Sequence, residues 1–171
     1  MISFLILRTK ERKTLADLKD ITLRSLEGSD FVEVMEIVRA LPQWFSETGI
    51  KHIEIDLKYQ RGLVATKDDR IIGFFTFYVY EGQAQLAWIG VLPEFHRQGI
   101  GRLLLTALIE TLKTDGIGLL KVNTLGDSVD YSPYEFTRAF YSSLGFRESQ
   151  RIQQDNPDCP ELLILAKDLS V

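Results

Sequence analysis

The stretch VLPEFHRQGIGRLLL, Val91 to Leu105, decides how the chain folds. It joins the end of an apolar, β-branched run to a segment in which Ile100, Leu103, Leu104, Ala107, Leu108 and Leu112 recur at helical spacing, with Gly116 closing the pattern. The spacing predicts a strand, a tight turn containing Gly99 and Gly101, and a helix over 99–115. Such a helix entrance favours anions. Its first N–H groups lack intrahelical partners, its dipole leaves about half a positive charge there, and glycines let a diphosphate approach the main chain. Arg97 and Arg102 add two cations at the same mouth. Glycine at a helix entrance also serves simply to turn the corner, so the spacing alone leaves both readings open. A P-loop needs Gly-Lys-Ser/Thr after four spacers, and none is present. A Rossmann fingerprint needs a third glycine where Leu104 stands.

Upstream, ITLRSL predicts a short strand, and Ser29-Asp30 a cap for a helix through Val34, Ile37, Val38 and Leu41 that stops at Pro42. Ser46 opens a second helix through Ile50, Ile53 and Leu57. GLVAT, RIIGFFTFYVY and QAQLAWIGV, separated by Asp68-Asp69 and Glu81-Gly82, predict an antiparallel meander. Downstream come the strand GLLKVNTL, a polar loop over 126–133, a helix over 134–144, a strand from Gly145-Phe146 and the final strand ELLILAKDL. The fold class is therefore α/β (α+β): a mixed, mostly antiparallel central sheet with helices on both faces, its parallel part around the strand ending at Val91. Residues 21–171 are expected to form one domain. Residues 1–20 are expected to pack on it or to make an oligomer contact, which admits a homodimer.

Composition narrows the chemistry. The 171 residues carry a net charge of −4, so nucleic-acid binding would need a local basic patch, and no dominant one is present. Cys159 is the lone cysteine, and His52 and His96 lie far apart, which makes a disulfide scaffold or a metal site improbable. Apolar runs fall short of the roughly 20 residues that span a bilayer. MISFLIL has its charges behind it and no small-residue cleavage site, so it makes a poor signal peptide, and a cytoplasmic location without membrane partners is expected.

The run VLPEFHRQGIGR resembles the acetyl-CoA signature of the GCN5-related N-acetyltransferases (GNAT), whose core is Arg or Gln, two residues, Gly, one residue, Gly or Ala; His96 departs from its first position. TRAFYSSLGF, Thr137 to Phe146, resembles the family's later A-x-x-F-Y-x-x-x-G-F pattern, with Thr137 at the small-residue position. The likeness covers about 21–169, and VNTLGDSVDYSPYEFTRAFY with NPDCPELLILAKDL resembles a bacterial subgroup. The resemblance implies acetyl-CoA as co-substrate, no metal, and an amine acceptor attacking directly in a ternary complex. It implies that the amides of Arg97, Gln98, Gly99, Ile100, Gly101 and Arg102 wrap the coenzyme pyrophosphate, and that Ile89, Gly90 and Val91 offer backbone groups to the pantetheine arm.

The same resemblance sets Tyr141 beside the thioester sulfur. A phenol with a reference pKa of about 10 can protonate the departing thiolate, so Tyr141 is the candidate general acid; a packing tyrosine is the alternative. At helical spacing Phe136, Phe140 and Leu144 form an apolar stripe, while Tyr141 shares another face with Tyr134 and Thr137. An attacking amine must also lose a proton. The strand QAQLAWIGV carries no acid, so the base is unassigned, with Glu54 and Asp130 as candidate carboxylates. Trp44, Phe45 and Tyr134 are candidate acceptor-pocket residues, with core packing as the competing role for the first two, and Trp88 is expected in the core or the pocket wall. Cys159 in NPDCPE has no evident activating partner. Two further functions compete: a non-catalytic acyl-CoA-binding or regulatory module, and a nucleotide-binding module that the failed P-loop and Rossmann tests weaken.

Overall fold

Two tight turns with left-handed backbone fold the middle of the chain into a meander. Asp68 and Asp69 (φ 50° and 61°) and Glu81 and Gly82 (φ 49° and 74°) supply the paired positive φ angles that suit the twist of antiparallel strands. They separate β2 (Arg61–Lys67), β3 (Arg70–Tyr80) and β4 (Gln83–Val91), each with the β-branched and aromatic content of a buried strand. The computed structural model describes Leu18 and residues 20–170, so most of the segment expected to serve as a packing or oligomer contact lies outside the described residues.

The remaining elements are β1 (Thr22–Ser25), α1 (Phe31–Arg39), α2 (Glu47–Asp56), α3 (Ile100–Thr114), β5 (Leu119–Leu125), α4 (Ser132–Ser143), β6 (Arg147–Gln153) and β7 (Glu161–Asp168). They form a seven-stranded sheet of order β1-β2-β3-β4-β5-β7-β6, in which only β4 and β5 pair in parallel. This is the expected mixed, mostly antiparallel sheet.

Glycines locate the helices on its faces. A Cβ added at Gly90 would come within 3.3 Å of Ile37 and 3.4 Å of Leu41, so this part of β4 lies under the α1 end of the chain. On the opposite face, a Cβ at Gly73 would come within 3.2 Å of Leu104 and 3.3 Å of Ile100, which belong to α3. Gly101 of α3 in turn faces Phe140 of α4 at 3.4 Å. Hence α1 and α2 cover one face of the sheet, while α3 and α4 cover the other. Leu104, Leu105, Leu108 and Leu112 are fully buried, as the periodicity of α3 requires.

Three local expectations change. Ser46 does cap α2, accepting from the Gly49 N–H at 3.2 Å, but Asp30 does not cap α1. Its carboxylate turns back to the Glu27 N–H (2.8 Å) and takes a two-pronged contact from Arg24 (2.7 and 2.9 Å). Helix α4 begins two residues earlier than predicted, because Pro133 is accommodated in its first turn, where no N–H is needed. Phe136 is 65% exposed rather than part of a buried stripe; the buried side of α4 is the side that carries Tyr141.

Candidate active site

Strand β4 ends at Val91, and a single turn over Pro93–Phe95 carries the chain round to α3. Arg97 (φ 62°) and Gly99 (φ 89°) both adopt left-handed backbone. Glycine takes this conformation without penalty, whereas at Arg97 it is held against the preference of an L-residue, a feature that clusters at ligand-binding turns. The bond from the Leu103 N–H to the Gly99 carbonyl (2.9 Å) opens the α3 ladder, so the amides of Ile100, Gly101 and Arg102 precede it and carry the positive end of the helix dipole. The Ile100 side chain is buried beneath, which anchors the turn, and Arg97 stands exposed beside it. Arg102 reaches across to Ser143 on α4 (2.9 Å), and Gln98 Nε2 donates to the Glu94 carbonyl (2.8 Å).

Next to this turn the sheet divides. Strands β4 and β5 pair only at Ala84–Leu120, Gln85–Lys121 and Leu86–Val122. Beyond that point Ile89, Gly90 and Val91 stay with β3, and Asn123, Thr124 and Leu125 stay with β7. Among the described residues, the edge of β4 facing β5 is thus left without a strand partner over the residues expected to receive an extended arm. On the other side of the gap, Thr124 Oγ1 is buried and without a hydrogen-bond partner among the described residues. Such an atom is costly to leave alone and is suited to a bound ligand. His96 Nε2 lies 2.7 Å from the Val91 carbonyl, which can only accept, so the ring nitrogen donates and its proton sits on Nε2.

Tyr141 projects from α4 into the core, 4% exposed, with its ring 5.3 Å from Phe140 and 5.5 Å from Phe146. Its hydroxyl has no hydrogen-bond partner among the described residues. Burial raises the phenol well above the ordinary tyrosine range, and the neighbouring Tyr134 adds to the effect, so Tyr141 stays protonated as an acid must. The Tyr134 phenol is likewise pushed up, chiefly by burial and then by Cys159 and Tyr131.

The connection from α1 to α2 crosses to α4 at the same place. The Trp44 indole N–H donates to Thr137 Oγ1 (3.1 Å), the Tyr134 hydroxyl donates to the Trp44 carbonyl (3.2 Å), and the Tyr131 hydroxyl donates to the Gln43 carbonyl (3.0 Å). The Trp44 ring meets His96 edge to face at 5.9 Å. Phe45 is buried against Trp88, whose indole N–H donates to Asp56 on α2 (2.7 Å). Trp44 therefore links Tyr134 of α4 to the glycine turn through His96, Tyr141 lies near Tyr134, and Phe45 packs in the core. Sequence reasoning missed the Trp44–Thr137 and Trp88–Asp56 contacts, since no local pattern signals a pairing across 93 or 32 positions.

The two candidate base carboxylates lie elsewhere. Glu54 pairs with Arg39 at 3.3 Å on the surface, and Asp130 is exposed in the loop before α4. Neither strand at the gap, QAQLAWIGV or LLKVNTL, contains an acid. Cys159 donates to the Glu161 carbonyl (3.5 Å), and burial, followed by the Glu161 charge, pushes its thiol up, away from a nucleophilic thiolate. Among the described residues no cluster of three His, Cys, Asp or Glu is arranged to hold a metal, and no helix is long and apolar enough to cross a membrane.

Known proteins are similar to this chain in sequence and in fold. The chain is 32% identical over 106 residues to the [ribosomal protein bS18]-alanine N-acetyltransferase of Salmonella typhimurium, a match spanning 62% of each chain. It is 29% identical over 136 residues to the enzyme of that name from Escherichia coli, covering 75% of this chain and 82% of the relative. The crystal structure of the Escherichia coli ribosomal-protein-S18-alanine N-acetyltransferase superposes with a TM-score of 0.73 at 25% identity, over 88% of this chain and 95% of that one. PaiA N-acetyltransferase of Thermoplasma acidophilum, solved with coenzyme A, shares the fold at a TM-score of 0.67 and 20% identity, over 86% of this chain and 98% of that one. Residues 58–148, from the end of α2 through the divided sheet and Tyr141 to β6, match the model of the acetyltransferase (GNAT) domain, and the chain belongs to that family.

Proposed function

We propose that the chain moves an acetyl group from acetyl-CoA to the α-amine of a peptide or protein N-terminus, by direct attack within a ternary complex. The observation that carries this reading is the parting of β4 from β5 beside the basic glycine turn, with the Tyr141 phenol buried on α4 as the candidate acid. The donor set fits the coenzyme. Arg97 and the amides of Gly99 to Arg102 suit a diphosphate. The free edge of β4 at Ile89 to Val91 suits an amide-bearing arm, and Thr124 Oγ1 is an orphaned polar atom that a ligand in the gap can satisfy.

The amine lone pair attacks the thioester carbonyl, and the C–S bond breaks as the C–N bond is completed. Tyr141 protonates the departing sulfur, and the amine proton passes to solvent. Two features support an α-amine acceptor. The relatives named above act on a ribosomal-protein alanine. The strands at the gap also lack a carboxylate base, and an α-amine needs little help. At pH 7 about one α-amine in eight is neutral, against roughly 0.04% of lysine amines. The proposed reaction belongs in the cytoplasm and requires neither a membrane nor nucleic acid.

Calorimetric titration with acetyl-CoA tests the coenzyme site; absence of heat at high concentration rules the reading out. Thiol release with two peptides, one offering only an α-amine and one only a lysine amine, tests the acceptor. The expected kcat/KM favours the α-amine at pH 7 and rises to a plateau through about pH 8. Acetyl-CoA binding without transfer to any amine would instead establish a non-catalytic acyl-CoA module.

A further inference from the structure

The face of the sheet that α1 and α2 cover at β3 and β4 continues across β5, β7 and β6, where Asn123, Arg147 and Gln150 are exposed, Lys121 is half-buried and Leu125 is buried. Paired residues share a face, so the register traces it. Gly90 and Trp88 face α1 and α2, and Trp88 pairs with Thr76. Two residues along β3, Tyr78 pairs with Gln85, and the row then runs from Gln85 to Lys121, Ala166 and Arg147. The next row on the same face is Asn123, Ile164 and Gln150, and the one after is Leu125, Leu162 and Ile152. Lys121 and Arg147 thus flank a small alanine and lie about 9.6 Å apart at Cα, two strand spacings.

Neither cation has a hydrogen-bond or ion-pair partner among the described residues, and no residue in these three rows is an acid. The opposite face of β6 behaves differently. There Arg151 pairs with Glu148 (2.9 Å), Glu161 (3.0 Å) and Asp127. Asp155 and Asp158 stand in the β6–β7 connection, at the opposite end of β6 from Arg147. Asp168, two residues along β7 from Ala166, stands in the adjoining row of the same face with its carboxylate bound to Ser170, so Lys121 and Arg147 are cations without a direct partner beside one engaged acid.

This face adjoins the gap. Gln85 and Lys121 occupy the row just before the strands part, and two residues of extended chain, about 6.6 Å, separate that row from Asn123. We propose that Lys121 and Arg147 form an anionic subsite for the acceptor, which selects a peptide bearing a carboxylate on the residue after the acetylated amine. The inference rests on the peptide-acceptor reading above. An extended peptide whose amine sits at the gap brings its second side chain to this row. The own carboxylate of a single amino acid, about 3 Å from its amine, falls short of it.

Thiol release is measured with Ala-Glu, Ala-Gln and Ala-Lys peptides of otherwise identical sequence. The expected order of kcat/KM is Glu above Gln above Lys, with about three- to tenfold between the first two, the range for one or two partly exposed ion pairs. Lys121→Gln raises KM for the Glu peptide and erases its advantage, and Lys121→Glu with Arg147→Glu moves the preference to the Lys peptide. Equal values for the three peptides, or a preference that survives Lys121→Gln, overturn the subsite. Fluorescence anisotropy of a labelled Ala-Glu peptide reads the subsite without turnover. Binding lost in Lys121→Gln upholds it even where no peptide is acetylated, whereas absence of transfer alone overturns the peptide-acceptor reading.

Discussion

Replacing Tyr141 by phenylalanine removes one oxygen from a ring packed against Phe140 and Phe146. That oxygen has no hydrogen-bond partner among the described residues, so no native bond is lost and no partner is orphaned. The fold is therefore expected to keep its stability to within about 1 kcal/mol, since no intramolecular hydrogen bond is removed. Catalysis is expected to fall. General-acid assistance contributes typically about 10²- to 10⁴-fold, equivalent to about 2.7 kcal/mol of barrier at its lower limit. Stopped-flow thiol release should show kcat down at least about a hundredfold, with calorimetric affinity for acetyl-CoA retained. The pH profile adds a constraint. Burial raises the Tyr141 pKa, so the acid stays protonated past the ordinary tyrosine range and the wild-type rate should not fall as pH approaches 10. The same shift means that the folded state holds its proton while the unfolded chain loses it above about pH 10, so the contribution of Tyr141 to stability declines from there upward. A Tyr141→Phe enzyme that turns over within threefold of wild type, with an unchanged melting temperature, refutes the general-acid role.

Other outcomes follow from particular contacts. Gly99→Val forces a β-branched residue to φ 89° at a cost of about 1–3 kcal/mol, and should weaken acetyl-CoA about tenfold by calorimetry as the amide cradle shifts. Trp44→Phe keeps a ring against His96 but loses the hydrogen bond to Thr137; steady-state kinetics should show KM for the acceptor raised about two- to tenfold, more than kcat falls. Asp30→Ala removes the bidentate partner of half-exposed Arg24 and the acceptor of the Glu27 N–H, lowering stability in urea by about 1–2 kcal/mol. Because the Arg24 hydrogen bonds are the main cause holding the Asp30 carboxyl below its usual range, that contribution is present above about pH 4 and lost as pH falls; Asp30→Asn should flatten the acid limb of the melting curve.

Elements governed by local pattern were legible in the sequence. Helix α3 could be read from its leucine spacing, and the β2–β4 meander from Asp68-Asp69 and Glu81-Gly82, because period and turn chemistry are encoded within a few residues. The position at which β4 leaves β5 is a property of register and length, and no local pattern encodes it. Phe136 illustrates the limit of a helical wheel, which sorts side chains by angle without knowing which side meets the sheet. On α4 the buried side is that of Tyr141, while Phe136 faces outward. The glycine turn itself was readable because left-handed backbone at Gly99 and the start of α3 depend on glycine and on helix periodicity, which leave a local signature. Trp44 was visible only as an aromatic at a helix junction, since its partner on α4 is 93 positions away.

The missing base and the cationic face are linked. A GNAT site built for a lysine side chain must overcome a protonation equilibrium of about 3.4 pH units at neutral pH, and a carboxylate beside the amine is the direct means. Here the strands at the gap offer Gln85, Lys121 and Asn123 in place of an acid. A nearby lysine favours the neutral form of an incoming ammonium, because like charges disfavour one another; it assists amine deprotonation without accepting the proton. At ~7 Å through solvent the effect is well under a pH unit, enough to help an α-amine and far short of what a lysine requires. The same cation attracts a carboxylate on the following residue. One residue on β5 thereby accounts for both an acceptor amine of low pKa and an acidic second position. In Lys121→Gln, the apparent pKa of kcat/KM with an Ala-Gln peptide should move up by a few tenths of a unit. A shift in the opposite direction separates the two roles and leaves the amine preference without this cause.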